Sequence, residues 1–171
     1  MSQVYVVDAG VLFTTWAMKI ADATIVTTSS IMVEIRNRRS KLRAEIMLLL
    51  DRMRVVNPED TYVEQTNQTA TRSGDSNTLS TADTELVALA LMLQNVGENV
   101  ELVSTDFAVL NIASHLSIPF IDPSGKFKQM ITWGMKCPAC QYKSDGPSRD
   151  NECPVCGTSM KKVPLKRQKK A

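Results

Sequence analysis

The sequence predicts an α/β fold in which a parallel β-sheet is flanked by helices on both faces, followed by a small C-terminal four-cysteine zinc ribbon. Two observations predict it. Short β-type runs alternate with segments of helical period, which is the order typical of parallel sheets. Two Cys-x-x-Cys motifs then follow near the end of the 171 residues. This length suits one domain of ordinary size with a small appendage.

The elements are predicted in an alternating order along the chain. The strand-like runs are Val4–Val7, Thr24–Thr27, Val55–Val56, Val100–Val103 and Pro119–Ile121. Helical patterns are expected at residues 11–20, 29–38, 40–54, 60–72, 80–95 and 106–116. The polar stretch 71–78 is expected to be a mobile loop ahead of a helix opened by Ser80.

These elements divide the chain into four parts. Residues 1–123 form the α/β domain and 124–134 a linker, while 135–162 form the ribbon and 163–171 a basic tail that is expected to be disordered. Trp133, in the linker, is expected to pack as a plug beside the ribbon, with base stacking as the alternative.

The four cysteines of the chain predict one structural zinc ion. Two knuckles of paired thiolates, separated by residues 141–152, can surround Zn²⁺ tetrahedrally. Disulfides are the competing interpretation, but they are favoured in oxidising compartments, and we find no secretion signal at the N-terminus. The expected location is therefore the cytoplasm. The ligands are Cys137, Cys140, Cys153 and Cys156.

Charge divides the chain into two parts of opposite sign. Residues 1–134 contain 11 Lys and Arg against 15 Asp and Glu, whereas residues 135–171 contain 9 against 3. A basic C-terminal segment suits a polyphosphate such as RNA, although a terminal run of lysines can also simply be solvated. No apolar run approaches the ~20 residues that cross a bilayer, so no membrane role is indicated.

Acidic residues follow the predicted strands or begin the helices next to them. Asp8 and Asp106 each come directly after or shortly after a strand, and a parallel sheet would bring them to one edge. Asp83 and Glu34 lie in the first turns of helices. Each acid alone can be explained as a helix cap or as a partner of the helix dipole. Together they form the oxygen-only set that Mg²⁺ or Mn²⁺ prefers.

Two other polar residues are interpreted as structural. Asp122 also follows a strand, but the sequence Asp-Pro-Ser-Gly is typical of a turn. His115, the single histidine, lies late in a helix beside apolar neighbours and is expected to be a packing or surface residue. A histidine-based mechanism is therefore not favoured.

The ordered motifs resemble those of the Nob-type PIN-domain endoribonucleases, in their compact archaeal form. The resemblance covers nearly the whole chain. It rests on Val7-Asp8-Ala-Gly-Val-Leu12, Met32-Val-Glu34-Ile-Arg, Leu79-Ser-Thr-Ala-Asp83 and Ser104-Thr-Asp106-Phe-Ala-Val-Leu-Asn111, followed by a tryptophan and the ribbon. It implies a PIN-like sheet with a site carried by Asp8, Glu34, Asp83 and Asp106, and supported by Thr105 and Asn111. Relatives often carry an acid where Thr105 stands, so one or two Mg²⁺ or Mn²⁺ ions are expected.

The resemblance further implies cleavage of precursor small-subunit (16S-type) rRNA at its 3′ end, within an immature small ribosomal subunit. Hydrolysis would leave a 5′-phosphate and a 3′-hydroxyl. Candidate RNA-binding cations are Arg36, Arg38, Arg39, Lys41, Arg43, Lys161 and Lys162, although the first five can also form a solvated helix face. The alternative function is a non-catalytic RNA- or ribosome-binding assembly factor that uses the ribbon.

Overall fold

A five-stranded parallel sheet forms the centre of the computed structural model, which describes residues 3–12, 14, 16–17, 20, 23–145 and 151–169. The strands lie in the order β3-β2-β1-β4-β5. They are β1 Val4–Val7, β2 Thr24–Thr27, β3 Met53–Val55, β4 Val100–Val103 and β5 Phe120–Ile121. Because the strand order reverses between β1 and β4, the carboxyl ends of these two strands border the crevice where open α/β sheets bind ligands.

Helices connect these strands. In the described part of the chain they are α1 Ala9–Leu12, α2 Ser29–Glu34, α3 Arg38–Leu49, α4 Asp60–Ser73, α5 Thr81–Asn95 and α6 Phe107–His115. Local sequence fixes their ends: the Asn37 side chain accepts hydrogen bonds from the first turn of α3, and Gly74 ends α4 with a φ of 78°. None of the described helices is long and apolar enough to cross a membrane.

The main core lies between the sheet and its helices. Helix α5 contributes most to it, since Leu86, Val87 and Leu89 are completely buried. They join the side chains of the central strands, of which Val6 and Leu102 are also completely buried. Each such side chain stabilises the fold by roughly 1.5–3 kcal/mol relative to an exposed one, so the α/β domain has a core that does not depend on a metal ion.

The C-terminal region forms a second, antiparallel sheet in the order β7-β6-β8. Its strands are β6 Gln129–Lys136, β7 Lys143–Ser144 and β8 Lys161–Lys169. Strand β8 pairs with β6 along its length, from Gln129 opposite Lys169 to Lys136 opposite Lys161. The two strands form a long hairpin that carries the cysteine segment at its far end.

This hairpin corrects two of the predicted domain boundaries. The expected linker 124–134 contains the first six residues of β6, and the expected disordered tail 163–171 is strand through residue 169. The reason is visible in burial: Val163 and Leu165 are half-buried, while Pro164 between them and the charged residues on either side are exposed. Such alternation is the strand period, and the abundance of lysine obscured it. Residues 170–171 lie outside the described part.

Other differences are local. The helix expected at 11–20 begins at Ala9 and ends at Leu12, with residues 13, 15 and 18–19 outside the described part. Helix α2 ends at Glu34 instead of residue 38. Helix α3 ends at Leu49 instead of residue 54, because Asp51 adopts a φ of 54°, and β3 begins earlier than predicted. The stretch 71–78 is not a loose loop, since it holds the buried Asp75.

Candidate active site and four-cysteine cluster

A cleft of about 290 Å³ opens at the carboxyl edge of the parallel sheet, beside the ends of β1 and β4. Asp8 follows β1, and Thr105 and Asp106 follow β4. Helices α2 and α5 add Glu34 and Asp83 to its lining. The structure therefore brings together all four predicted acids and one of the two predicted supporting residues.

Asp8 is the most buried acid of the cleft, with only 7% of its surface exposed. Its Oδ1 accepts a hydrogen bond of 2.8 Å from the backbone amide of Val11, and its Oδ2 accepts one from the Ser104 hydroxyl. Burial raises the pKa of Asp8 above its ordinary value of 3.8; the charge of Asp83 acts in the same direction, and the two hydrogen bonds oppose it. A cation in the cleft would favour the ionised carboxylate.

Ser104 links the two strand-end acids and was missed by the sequence analysis. It is completely buried, and its hydroxyl donates to Asp8 while accepting a 3.0 Å hydrogen bond from the backbone amide of Asp106. The available signals were its position directly after a buried strand and its place at the start of the Ser104-Thr-Asp106 motif. Serine is small and polar there, so it fixes one carboxylate and the turn that carries the other.

Asp83 and Asp106 are helix caps as well as lining residues. Asp83 Oδ2 accepts hydrogen bonds from the Ser80 amide and hydroxyl, at 3.1 and 2.8 Å, which completes a capping box. Asp106 Oδ1 accepts from the amides of Ala108 and Val109, at 2.7 and 3.3 Å. In both, the other carboxylate oxygen has no hydrogen-bond partner among the described residues. Capping and a role in the cleft are therefore compatible, since each uses a different oxygen.

Gly10 keeps the space beside Asp8 open. A Cβ at this position would lie 3.1 Å from Asp8 Oδ1 and 3.5 Å from the Thr105 hydroxyl oxygen. Glu34, at the end of α2, and Asp106 are the exposed acids of the cleft. The carboxylates of the cleft thus range from the buried Asp8 to the freely accessible Glu34.

Asn111 does not line this cleft, which corrects its expected role as a supporting residue of the site. Its amide group faces the other side of α6, where it donates to Asp75 Oδ2 at 2.6 Å and to the backbone oxygen of Ile131 at 2.8 Å. It also accepts from the Ile131 amide at 2.7 Å. Asn111 therefore joins the α/β domain to β6.

Asp75 is a second residue that the sequence analysis missed. It is 3% exposed and accepts hydrogen bonds from Asn111 and from the Ser73 hydroxyl. Its Oδ1 also lies 3.5 Å from Lys162 Nζ on β8. The segment that contains it, rich in Ser, Gly and Asn, is typical of a loop, so no pattern indicated a buried carboxylate. Asp75 and Asn111 together hold the β6–β8 hairpin on the α/β domain.

Two structural interpretations agree with the contacts, whereas Trp133 packs against the α/β domain and not as a plug beside the ribbon. Asp122 accepts hydrogen bonds from the amides of Ser124 and Phe127, both at 2.8 Å, as expected of a turn. His115 is half-buried, and its Nε2 lies 3.1 Å from the Ile131 backbone oxygen. Trp133 is half-buried and packs against Gly74. A Cβ added to Gly74 would lie 2.7 Å from the backbone oxygen of Trp133.

The four cysteine sulfur atoms form a compact cluster. Among the described residues, they are the one group of three or more Cys, His, Asp or Glu ligands whose donor atoms all lie within 4.8 Å of one another. Cys137 and Cys156 sulfurs are 3.5 Å apart, and those of Cys140 and Cys153 are 3.4 Å apart. A disulfide needs about 2.05 Å, whereas sulfurs at ~2.3 Å from one zinc lie roughly 3.8 Å apart. The cluster can therefore bind zinc.

The acids fit a different kind of ion. Their donor atoms are spread across the cleft, without a tight group of the kind the sulfurs form. Hard Mg²⁺ retains several water molecules and needs only one or two direct carboxylates. An oxygen-only set with one buried, desolvated member suits such a partly hydrated ion.

The predicted RNA-binding cations lie outside the lining of this cleft. Arg36, Arg38, Arg39 and Lys41 are exposed just beyond Glu34, and Arg43 is half-buried. Lys161 is exposed on β8. Lys162 is held by Asp75, and its Nζ lies 4.9 Å from the centre of the Trp133 ring. The Lys162 ammonium thus helps to hold the hairpin on the α/β domain.

Comparison with known proteins identifies the α/β domain. Residues 5–93, just over half of the chain, match the family model described as "PIN domain of ribonuclease". This chain belongs to the PIN-domain ribonuclease family. The predicted PIN fold and enzyme class are confirmed, and the chain is a ribonuclease.

Several archaeal relatives extend the similarity beyond the matched domain. The "Endoribonuclease Nob1" of Pyrococcus abyssi is 29% identical over 142 residues, 83% of this chain and 85% of the relative. That of Archaeoglobus fulgidus is 29% identical over 160 residues, 91% and 88% of the two chains. The "Ribonuclease VapC1" of Thermoplasma acidophilum is 28% identical over 163 residues, which are 95% of this chain and 79% of the relative. The resemblance to Nob-type enzymes with a four-cysteine ribbon is thereby confirmed.

Proposed function

We propose that this PIN-domain ribonuclease is a metal-dependent endonuclease that cleaves precursor small-subunit rRNA at its 3′ end during ribosome assembly. The observation that carries the proposal is the combination of one acidic cleft with a four-cysteine cluster in a single chain. The similarity to the relatives named Nob1 extends over 83% and 91% of this chain, which supports the proposal. Its partners are the precursor rRNA and the immature small subunit that contains it.

In this proposal Asp8, Glu34, Asp83 and Asp106 hold one or two Mg²⁺ or Mn²⁺ ions. Such an ion supplies a nucleophilic water at neutral pH and neutralises charge on the phosphate. Asp8 provides a carboxylate whose position is fixed by Ser104 and Val11. Asp83 and Asp106 each present the oxygen that capping leaves unused. Gly10 leaves room for the substrate or the ion beside Asp8.

The backbone contacts would come from cations around the cleft. Four exposed cations follow Glu34, so a strand that crosses the cleft can meet Arg36, Arg38, Arg39 or Lys41 on that side. Because phosphate contacts fix register without reading sequence, the choice of cleavage site is assigned to the zinc ribbon and the particle. The expected products carry a 5′-phosphate and a 3′-hydroxyl.

A non-catalytic assembly factor is the competing function. It is favoured by one observation: the capping contacts of Asp83 and Asp106 would explain these two acids without any ion. A nuclease assay decides between the two. The purified chain is incubated with an RNA that spans the 3′ junction, alone or in a precursor particle, with Mg²⁺, Mn²⁺ or no added divalent ion so that the ribbon keeps its zinc.

The variants in this assay are Asp8→Asn and Asp106→Asn, with Glu101→Gln as the matched control. Glu101 is an acid on the same strand that precedes Asp106, but it lies toward the other end of β4 and outside the cleft. We expect metal-dependent cleavage at one position by the wild type and the control, and loss of about 100-fold or more in both variants. Specific cleavage that survives both substitutions would refute the site, and no cleavage even within the particle would favour the assembly factor.

A further inference from the structure

A second cavity lies beside the acidic cleft and has no role in the mechanism above. Its volume is about 360 Å³, within the range of small-molecule pockets. Phe107, Phe127 and Trp133 contribute its aromatic walls, while Lys126, Lys128 and Lys162 surround it with positive charge. We name it the aromatic pocket.

The first turn of α6 is the partition between the cleft and the aromatic pocket. Asp106 lines the cleft, and its neighbour Phe107 lines the pocket. The Cα atoms of adjacent residues are about 3.8 Å apart. Ala108, whose amide donates to Asp106 Oδ1, also lines the pocket. A strand of nucleic acid with a phosphate at the cleft would therefore have a neighbouring nucleotide within reach of the pocket.

The aromatic surface is accessible where a ligand would need it. Phe107 is 53% exposed, although it is a large apolar residue. It leans on Phe127, with the ring centres 6.0 Å apart, and Phe127 is itself fixed edge-on against Phe120 at 5.3 Å. Phe107 thus stands on a rigid aromatic base with one side open to solvent, which is the arrangement that stacking on a planar base requires.

The positive charge around the pocket is fixed by local structure. Asp122 accepts a hydrogen bond from the Phe127 amide, so the loop that carries Lys126 and Lys128 has a defined path. The Lys128 ammonium donates to the Gly125 backbone oxygen at 2.6 Å, and both loop lysines are exposed. The one acid of the lining, Asp75, is already paired with Lys162 and Asn111. The net field of the pocket therefore favours an anion.

We propose that the aromatic pocket binds one unpaired nucleotide of the RNA strand next to the scissile phosphate, with its base stacked on Phe107 and its phosphate near Lys126 and Lys128. This inference rests on the proposed function. It adds a base-binding subsite between the α/β domain and the β6–β8 hairpin, apart from the four-cysteine cluster.

The pocket should accept any base. Both amide hydrogens of Asn111 are already used, by Asp75 and by the Ile131 backbone oxygen, so this side chain cannot donate to a base edge. Stacking depends on the π-face, which every base has. The subsite would therefore position the strand without reading its sequence.

The test measures how much the bases contribute to RNA affinity. Fluorescence anisotropy compares a heptauridylate RNA with an abasic heptamer of the same length and charge, without added Mg²⁺ or Mn²⁺, so that binding is read separately from cleavage. The variants are Phe107→Ala, the conservative Phe107→Tyr and, as the matched control, Leu49→Ala. Leu49 is 83% exposed on α3 and lines neither cavity.

We expect the wild type to bind the heptauridylate at least ~10-fold more tightly than the abasic chain, and this ratio to fall about 10-fold in Phe107→Ala. The ratio should persist in Phe107→Tyr and Leu49→Ala. Zinc content and melting temperature check that each variant is folded. An equal ratio in Phe107→Ala and the wild type would overturn the subsite.

A second measurement does not depend on the Phe107 variants. Titration of uridine 5′-monophosphate into the wild type should shift the NMR signal of the Trp133 indole, and Lys128→Ala should weaken this binding several-fold. An indole signal that stays unshifted up to millimolar uridine 5′-monophosphate would also overturn the subsite. Specific RNA cleavage together with either negative result would refute the pocket and leave the proposed function intact. A positive ratio without cleavage would retain the pocket and refute the endonuclease.

Discussion

The acidic cleft and the four-cysteine cluster both offer donor atoms that suit a metal ion, but the protein builds them in opposite ways. The cleft draws its acids from four segments, and a completely buried core supports them. The cluster draws its thiols from two knuckles, with Met135 and Met160 as the remaining buried apolar residues around it. The first region can keep its shape without an ion, while the second has too little core to do so.

This difference matches the two roles that a metal ion can have in a protein. An ion that takes part in a reaction must meet water and substrate, so a preformed cleft with loosely spread oxygens is suitable. An ion that replaces a core must be enclosed, and Cys137 and Cys153 are indeed buried. The predictions below test whether the two regions behave as differently as their construction indicates.

The largest expected effect is the loss of the ribbon when its zinc is removed. Structural zinc contributes about 10–16 kcal/mol in small zinc modules, so Cys137→Ser should unfold residues 137–160 while the α/β core stays folded. The measurement is zinc stoichiometry together with amide hydrogen exchange. Asp106→Ser is the control, since it changes a residue of the cleft. Collapse of the α/β domain along with the ribbon would contradict the proposed independence.

The next largest effect is expected at the contact between the α/β domain and the β6–β8 hairpin. Asp75→Ala removes a buried carboxylate and leaves the Asn111 amide without one of its partners, which should cost about 1–3 kcal/mol. The expected result is a lower free energy of unfolding and faster hydrogen exchange in β6 and β8. Glu45→Ala, at an exposed position of helix α3, serves as the control. An unchanged exchange rate in β6 would show that the hairpin does not depend on this contact.

A smaller effect is expected at the buried serine of the cleft. Ser104→Ala removes the hydroxyl that donates to Asp8 and accepts from the Asp106 amide. The pKa of Asp8 should rise further, because this hydrogen bond lowers it. We expect roughly 10-fold weaker binding of Mn²⁺, measured by calorimetry, with no change in zinc content. Ser114→Ala on α6 is the control, and equal Mn²⁺ affinity in both variants would remove Ser104 from the site.

The smallest effect is the pH dependence of stability that Asp8 contributes. Its pKa is raised in the folded state, so the folded protein holds this proton more tightly than the unfolded chain does. The protonated form therefore favours folding, and this contribution is lost as pH rises from the ordinary value of 3.8 through the raised pKa. Without added Mg²⁺ or Mn²⁺, the stability difference between wild type and Asp8→Asn should change across this window.

Adding Mn²⁺ should reverse the sign of that dependence, because the ion requires the carboxylate and competes with the proton. Denaturation at a series of pH values, with and without Mn²⁺, measures both slopes. If the free energies of unfolding of the wild type and Asp8→Asn run parallel at every pH, with and without Mn²⁺, Asp8 keeps an ordinary pKa and contributes nothing to binding of the ion.

Much of the α/β domain could be predicted because its signals are local. Strands β1, β2 and β4 have the predicted bounds, and α4, α5 and α6 lie within one residue of theirs. Burial on both faces made the strands continuous apolar runs, and Ser80 and Asp106 are caps that a sequence displays openly. The same order of strands and acids placed Asp8 and Asp106 at one edge of the sheet.

The rest depended on contacts between distant segments. Asp75 is buried only because β8 brings Lys162 to it and α6 brings Asn111, and nothing in its own segment indicates either partner. The strand β8 was hidden because its lysines and arginine resemble a solvated tail, while its pairing with β6 requires the intervening cysteine segment to fold back. The aromatic pocket escaped notice for the same reason, since its walls come from α6, the 122–127 turn and the hairpin.

The long pairing of β6 with β8 also sets an order of events during synthesis. A growing chain releases the acids of the cleft first, and its domains fold from the N-terminal side. Lys162 and the strand that covers β6 emerge only after both cysteine knuckles have left the ribosome. In the nascent chain the acids of the cleft can therefore assemble while the strand that holds Asp75 and Trp133 is still missing, and both cysteine knuckles are available to zinc before β8 is complete.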